Sequence, residues 1–246
     1  MSQDLHPERT LAPFFHNKTL ASIVSRQSSG KEATVYCCEG GTKLGSRQLV
    51  AAKIYRPPER RAFKRHMEYA DGRYVQGRTA RAALKARNTY GKRMLFEQWI
   101  AFEFQVLGRL YRAGVRVPRP IAFEGYTILM EYVGDDEQSA PQLRSLDLDR
   151  EQSRSVLAEV YGDIETMLSI NLIHGDLSAY NILYWEGQPW IIDVPQALDP
   201  RVNNKAAEAL ERDVVHVAEW AEGRGVDADP QSFSTDLWIR WLRGDL

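Results

Sequence analysis

Strand-type patterning fills the first half of this 246-residue chain and helix-type patterning the second. Residues 21–26, 33–38 and 49–54 carry apolar strand signals separated by a Ser-Gly turn and by the loop 39–47 with Gly40, Gly41 and Gly45, which predicts an antiparallel meander. Tyr55-Arg56-Pro57-Pro58 stops the third strand. Residues 96–111 then place Phe96, Trp99, Ile100, Glu103, Leu107 and Leu110 at three- and four-residue steps, an amphipathic helix ended by Gly114, Pro118 and Pro120. Two further strands follow at 121–123 and 126–132, so the first lobe is expected to hold five strands and one helix. Beyond it, 151–170, 205–222 and 231–243 read as helices, and 182–184 and 190–194 as a hairpin turned by Glu186-Gly187-Gln188-Pro189. The expected architecture is α+β and bilobal, with lobes 1–133 and 134–246 meeting at a hinge near Glu131 to Gly134.

Composition narrows the setting. A net charge of −1 gives no global attraction to nucleic acid or to an anionic membrane, and 43% hydrophobic residues suffice for a substantial core. The start Met1-Ser2-Gln3-Asp4-Leu5-His6 is polar and no segment approaches the ~20 apolar residues needed to span a bilayer, so a cytoplasmic location is expected. The only two cysteines, Cys37 and Cys38, are neighbours in a strand and point to opposite faces, which disfavours both a disulfide between them and a zinc site.

The residues suited to chemistry cluster in His174-Gly175-Asp176-Leu177-Ser178-Ala179-Tyr180-Asn181, between a helix and a strand. Twelve residues beyond Asn181, Asp193 closes the apolar run Trp190-Ile191-Ile192. Magnesium takes oxygen ligands and keeps substrate phosphates in its shell, so Asn181 and Asp193 suit it. Asp176 remains free to orient or deprotonate an acceptor hydroxyl, while His174, first in a tight loop, reads as a structural hydrogen-bonder. Lys53 lies in the apolar strand 49–54 and Glu103 on the apolar face of the 96–111 helix. Each is costly to bury alone, and pairing them solves both problems while aiming the ammonium at nucleotide phosphates.

Three weaker features accompany these. Ser28-Ser29-Gly30-Lys31-Glu32-Ala33 is a small-residue turn whose amides and hydroxyls suit phosphate. Met130-Glu131-Tyr132-Val133 reaches the hinge, where backbone at Glu131 and Val133 could hold an adenine edge beside Met130, though core packing accounts for Met130 equally well. From Arg56 to Arg93, twelve Lys/Arg face three acids, a local balance of +9. The insertion at about 57–94 reads as a mobile basic loop able to attract RNA, a ribosome-associated protein or nucleotide, with Tyr69, Tyr74, Thr79 and Thr89 as candidate self-phosphorylation sites.

Taken together, Ser29-Gly30-Lys31-Glu32-Ala33, Ala52-Lys53-Ile54-Tyr55, Glu103-Phe104, Val117-Pro118-Arg119-Pro120, Met130-Glu131-Tyr132, His174 to Ser178 with Asn181, and Ile192-Asp193 resemble the RIO family of atypical serine protein kinases over about residues 20–222. The insertion with Asp71-Gly72-Arg73-Tyr74-Val75 looks like that of the family's first subgroup. The resemblance implies an ATP-dependent protein kinase using magnesium, or manganese in its place, with self-phosphorylation or ATPase activity. It implies that Ser28, Lys31 and Lys53 face the phosphates, that Glu103 pairs with Lys53, that Glu131 and Val133 hold adenine, and that Asp176 is catalytic. Asn181 and Asp193 would bind metal, and Asp193 could carry an aspartyl-phosphate. Asp193 is followed by Val194-Pro195-Gln196 rather than Phe-Gly, and no Ala-Pro-Glu segment lies between Asp193 and Leu246, which implies a truncated second lobe. Two other readings fit the same residues: a nucleotide-dependent scaffold acting on an RNA or ribosome-associated partner, and a small-molecule kinase of the aminoglycoside or choline kinase type.

Overall fold

The computed structural model describes residues 6–30, 32–45, 48–56, 89–136 and 138–246; Lys31 and the basic insertion through residue 88, with Tyr69, Tyr74 and Thr79, lie outside them. The chain divides into two compact units. Among the described residues the first holds 6–56, 89–105 and 118–139, and the second holds 106–117 and 140–246.

The first unit is built on five antiparallel strands, β1 (Leu20–Ser29), β2 (Ala33–Gly40), β3 (Leu49–Tyr55), β4 (Pro120–Glu124) and β5 (Thr127–Glu131), in the order β1-β2-β3-β5-β4. Side chains alternate across a strand, so central β3 sends Val50, Ala52 and Ile54 to one face and Ala51, Lys53 and Tyr55 to the other. On the first face Leu11 and Phe14 of helix α1 (Pro7–His16) close over Leu20, Cys38, Val50, Ala52, Ile54 and Leu129. On the second, Tyr55 and Ile128 pack with Phe96 and Ile100 of helix α2 (Thr89–Arg112), while Cys37, Ala51 and Tyr132 form a separate cluster with Val35, Leu49 and Met130.

Three sequence expectations change here. Helix α1 is a second helix of this unit; its polar sequence carries only Leu11 and Phe14 as a buried pair, too short a stripe for periodicity to register. Helix α2 begins at Thr89, so residues 89–94, assigned above to the insertion, are helical; the apolar stripe marks only the part that meets the sheet. Strand β1 runs on to Ser29, which makes Ser28 and Ser29 strand residues paired with Val35 and Thr34, and confines the turn to the chain between Ser29 and Ala33.

The second unit contains helices α3 (Arg150–Ser169), α4 (Ala206–Glu222) and α5 (Pro230–Arg243) and the hairpin β6 (Ile182–Trp185)–β7 (Gln188–Ile191). Helix α3 starts at a capping box in which the Asp149 carboxylate accepts from Gln152 N while the Gln152 side chain accepts from Asp149 N. It buries Val156, Leu157, Val160, Ile164, Met167 and Leu168, the stripe expected from spacing. The hairpin differs from expectation. Glu186 and Gly187 take φ of 50° and 80°, a two-residue turn whose twist matches the flanking strands, so Gln188 and Pro189 belong to β7. Proline is tolerated because Tyr184, opposite Pro189, turns its N–H outward to Pro141 O at 3.0 Å, which makes this a position where neither strand needs the other's donor. Strand β7 also ends at Ile191, and Asp193 lies two residues beyond it with φ of 65°. The ladder stops because the next pair, Asn181 and Ile192, makes only one of its two bonds: Ile192 N donates to Asn181 O, but Asn181 N donates to Ser178 O and Ile192 O is taken by His174.

Candidate active site

In the first unit, β3 and α2 bring together the two charges that sequence predicts to meet. Lys53 Nζ donates to Glu103 Oε1 at 2.7 Å, with the side chains only 12% and 5% exposed. Their proximity follows from β3 alternation, which puts Lys53 on the α2 face, and from Glu103 lying one turn from Ile100 on the buried stripe of α2. A residue to which the sequence assigned no role completes the group. Tyr55, two positions along β3 and therefore on the same face, donates its hydroxyl to Glu103 Oε2, and Lys53 Nζ lies 5.0 Å from its ring centroid.

Nearby elements bear the other residues expected here. Arg56 Nη2 donates to Ser29 Oγ at 2.6 Å and to Thr34 Oγ1 at 2.9 Å, joining the turn ends of β1 and β2; Ser28 is exposed in β1. Met130 is half-buried against the cluster of Cys37, Ala51 and Tyr132. Glu131 N donates to Arg119 O at 2.8 Å and the Glu131 carboxylate accepts from Arg119 N at 3.0 Å. The N–H of Glu131 is thus committed to the chain itself. Val133 is buried.

In the second unit, the loop 174–181 is held from beneath. Asp213 on α4, fully buried, accepts from Gly175 N at 2.7 Å and Leu177 N at 2.9 Å. Burial pushes its carboxyl up from the ordinary value, opposed by His174, by these two N–H bonds and by Arg212. Gly175 takes φ of 81°, and a Cβ there would stand 2.7 Å from Gln196 O, so only glycine fits between this loop and the segment after Asp193. His174 Nε2 meets Ile192 O at 3.1 Å. A carbonyl only accepts, so Nε2 carries the proton and His174 acts as the structural bonder expected. Asn181 Nδ2 donates to Asp176 O at 2.7 Å, which fixes the amide orientation and turns Oδ1 away from that carbonyl. Ile192 N donates to Asn181 O at 2.9 Å, tying the loop to the residue before Asp193.

The two carboxylates are presented differently from their supports. Asp176 and Asp193 are both exposed, and among the described residues no hydrogen bond or ion pair engages the Asp176 carboxylate. Gln142 Nε2 donates to Tyr180 O at 3.0 Å and Arg144 N to Ala179 O at 3.1 Å, which fastens the loop's far end. For magnesium the donor set is suitable: an amide oxygen and a carboxylate, both hard, on segments joined by backbone bonds. Among the described residues no group of three or more His, Cys, Asp or Glu side chains could hold a metal unaided, so an ion on Asn181 and Asp193 would need phosphate oxygens as well.

Tyr55 and Asp213 are the functional residues that sequence reasoning missed. Asp213 carries the same signal that exposed Glu103, an acid on an apolar stripe, here with Leu210, Val214 and Val217 at helical spacing. Tyr55 gives no such signal, because a tyrosine closing an apolar strand reads as core.

A five-stranded antiparallel sheet carrying a buried lysine–glutamate pair, and a helical unit carrying the Asp176–Asn181 loop with Asp193 after a hairpin, define a bilobal α+β fold of the protein-kinase-like class. A family model described as the RIO domain matches residues 34–233, and the chain belongs to that family. The RIO-type serine/threonine-protein kinase Rio1 of Haloferax volcanii is 34% identical over 205 residues, covering 83% of this chain and 65% of the relative. The serine/threonine-protein kinase RIO1 of Caenorhabditis elegans is 29% identical over 232 residues, 92% of this chain and 42% of the relative. Human RIO1 is 30% identical over 194 residues, 77% of this chain and 31% of the relative. The chain thus spans roughly a third to two thirds of the length of these relatives. Among the described residues no helix is long and apolar enough to cross a membrane.

Proposed function

We propose that this chain is a serine/threonine protein kinase that uses ATP and magnesium, with self-phosphorylation and ATP hydrolysis within its reach. Lys53, set by Glu103, binds the α- and β-phosphates. The carbonyl of Glu131 and the backbone of Val133 hold the adenine edge, with Met130 and Ala51 against the ring; Ser28 and Lys31 contribute phosphate contacts. Asp176 orients the acceptor hydroxyl and takes its proton as the hydroxyl oxygen bonds to the γ-phosphorus and the bond to the leaving ADP oxygen breaks. Asn181 Oδ1 and the Asp193 carboxylate hold magnesium, which when bound neutralises charge on the phosphate oxygens.

The observation that carries this reading is the support of the loop by Asp213. Two buried backbone bonds, from Gly175 and Leu177, bracket Asp176 and leave its carboxylate exposed and unengaged among the described residues. A turn-forming aspartate would spend its oxygens on its own loop. Membership of a family whose relatives are named protein kinases favours this over a small-molecule kinase.

The test is incubation with γ-labelled ATP and magnesium, with and without a generic protein substrate. The wild-type protein should acquire or transfer label, and Asp176→Ala should lower transfer by about a hundredfold or more while ATP binding changes little. An unchanged rate in Asp176→Ala would refute its role. Label that survives acid but not base marks phosphoserine; label lost in both marks an acyl phosphate, for which Asp193 is the proposed carrier. ATP binding without any transfer would favour the nucleotide-dependent scaffold, whose partner would engage the basic stretch 56–93.

A further inference from the structure

We infer that Tyr55 is a third working member of the Lys53–Glu103 pair: its hydroxyl sets the Glu103 carboxylate in the orientation that holds the Lys53 ammonium for nucleotide. This rests on the proposed role of Lys53 in binding ATP phosphates. The geometry separates this positioning role from packing.

Glu103 is 4% exposed, and its neighbours on the helix stripe are apolar, so water cannot satisfy either carboxylate oxygen. Lys53 Nζ engages Oε1 and the Tyr55 hydroxyl engages Oε2. A donor lost at Oε2 gives the carboxylate more freedom to turn about its last bond, and the long lysine stem more freedom to follow it. Two donors two residues apart on one strand allow a single setting, because β3 fixes their spacing. The same tyrosine also limits the lysine, since Nζ lies 5.0 Å from the ring centroid, where the ring face attracts a cation.

Tyr55 is itself immobile. Its backbone N–H donates to Tyr126 O at 2.8 Å, and its ring meets Phe96 and Trp99 edge-on, with centroids 6.4 and 5.1 Å away. A phenylalanine would make those same ring contacts. What the hydroxyl adds beyond those ring contacts is a proton for Glu103.

The deciding experiment compares wild type, Tyr55→Phe, Lys53→Ala, Glu103→Gln and the double variant Tyr55→Phe/Glu103→Gln by ATP titration, saturated turnover and melting without ATP. Tyr55→Phe should raise KM for ATP about tenfold with kcat changed far less, and should lower the melting temperature of the free protein by roughly a few degrees, because Glu103 Oε2 loses a buried donor. In the Glu103→Gln background the second substitution should add little further rise, because the carboxylate–ammonium pair that the hydroxyl sets is already gone. A Tyr55→Phe protein with wild-type KM, or an equal additional rise in the double variant, would overturn the inference and leave Tyr55 as packing. Lys53→Ala separates the two levels: if it too binds and turns over ATP normally, the nucleotide reading fails; if it loses ATP use while Tyr55→Phe does not, only the tyrosine's role fails.

Discussion

The two units hold their charged residues by opposite means. In the first, Lys53 and Glu103 are buried with each other, and the charges themselves are part of the core. In the second, Asp176 and Asp193 stay in solvent, and what is buried is their scaffolding: Asp213 on the backbone of Gly175 and Leu177, and His174 on the carbonyl of Ile192. The contrast teaches where function and stability coincide. A side chain that is both reagent and core contact cannot be removed without destabilising the fold. A side chain displayed on a separately supported backbone can.

Substitutions that test this contrast fall in a clear order. Glu103→Ala should destabilise most, by about 3 kcal/mol in chemical denaturation, because it removes the carboxylate that the little-exposed Lys53 ammonium bonds at 2.7 Å. A loss below about 1 kcal/mol would remove the distinction between the units. Gly175→Ala should follow at about 2 kcal/mol, since its Cβ meets Gln196 O at 2.7 Å and its φ of 81° disfavours any side chain; it should also cut transfer by displacing Asp176. Asp176→Ala should leave stability within about 0.5 kcal/mol of wild type while removing activity. Smallest is Arg201→Ala. Its guanidinium, hydrogen-bonded to Asp199 at 2.6 Å, holds that carboxyl below its ordinary value of 3.8. A depressed carboxylate contributes stability above its unfolded pKa and loses it as pH falls through the folded one. The melting temperature of the variant should therefore trail wild type by about 1 °C at neutral pH and converge with it in acid, as pH falls from 3.8 through the lowered folded value.

The same contrast explains what the sequence disclosed. Lys53 and Glu103 are legible because an unpaired charge on an apolar strand or stripe has no cheap resting place, so each announces a partner. The placement of Asp176 and Asn181 in one loop, with Asp193 after a hairpin, is legible through spacing, although the strand before Asp193 ends at Ile191, three residues short of the expected 194. The supports are harder to read. Asp213 sits 32 or more positions from the loop it braces, and nothing local says which backbone amides it will meet. Tyr55 hides because its ring satisfies the strand pattern, and nothing local marks its hydroxyl as a donor to Glu103. Helix α1 hides because two buried residues do not make a period, and the Glu186-Gly187 turn because Gln188 and Pro189 are turn formers that here pair as strand.

Cys37 and Cys38 offer a use for the sheet that neither unit's chemistry suggests. Cys37 faces the cluster of Ala51 and Tyr132, and Cys38 the opposite face under α1 with Leu11 and Phe14. Burial pushes their thiols up to about 11 and about 12, so at neutral pH almost no thiolate exists to meet an alkylating reagent. Modification must wait for the covering layer to lift. Two adjacent sulfur atoms are thus independent clocks, one timing the exposure of the α1 side of the sheet and the other the side that carries Lys53.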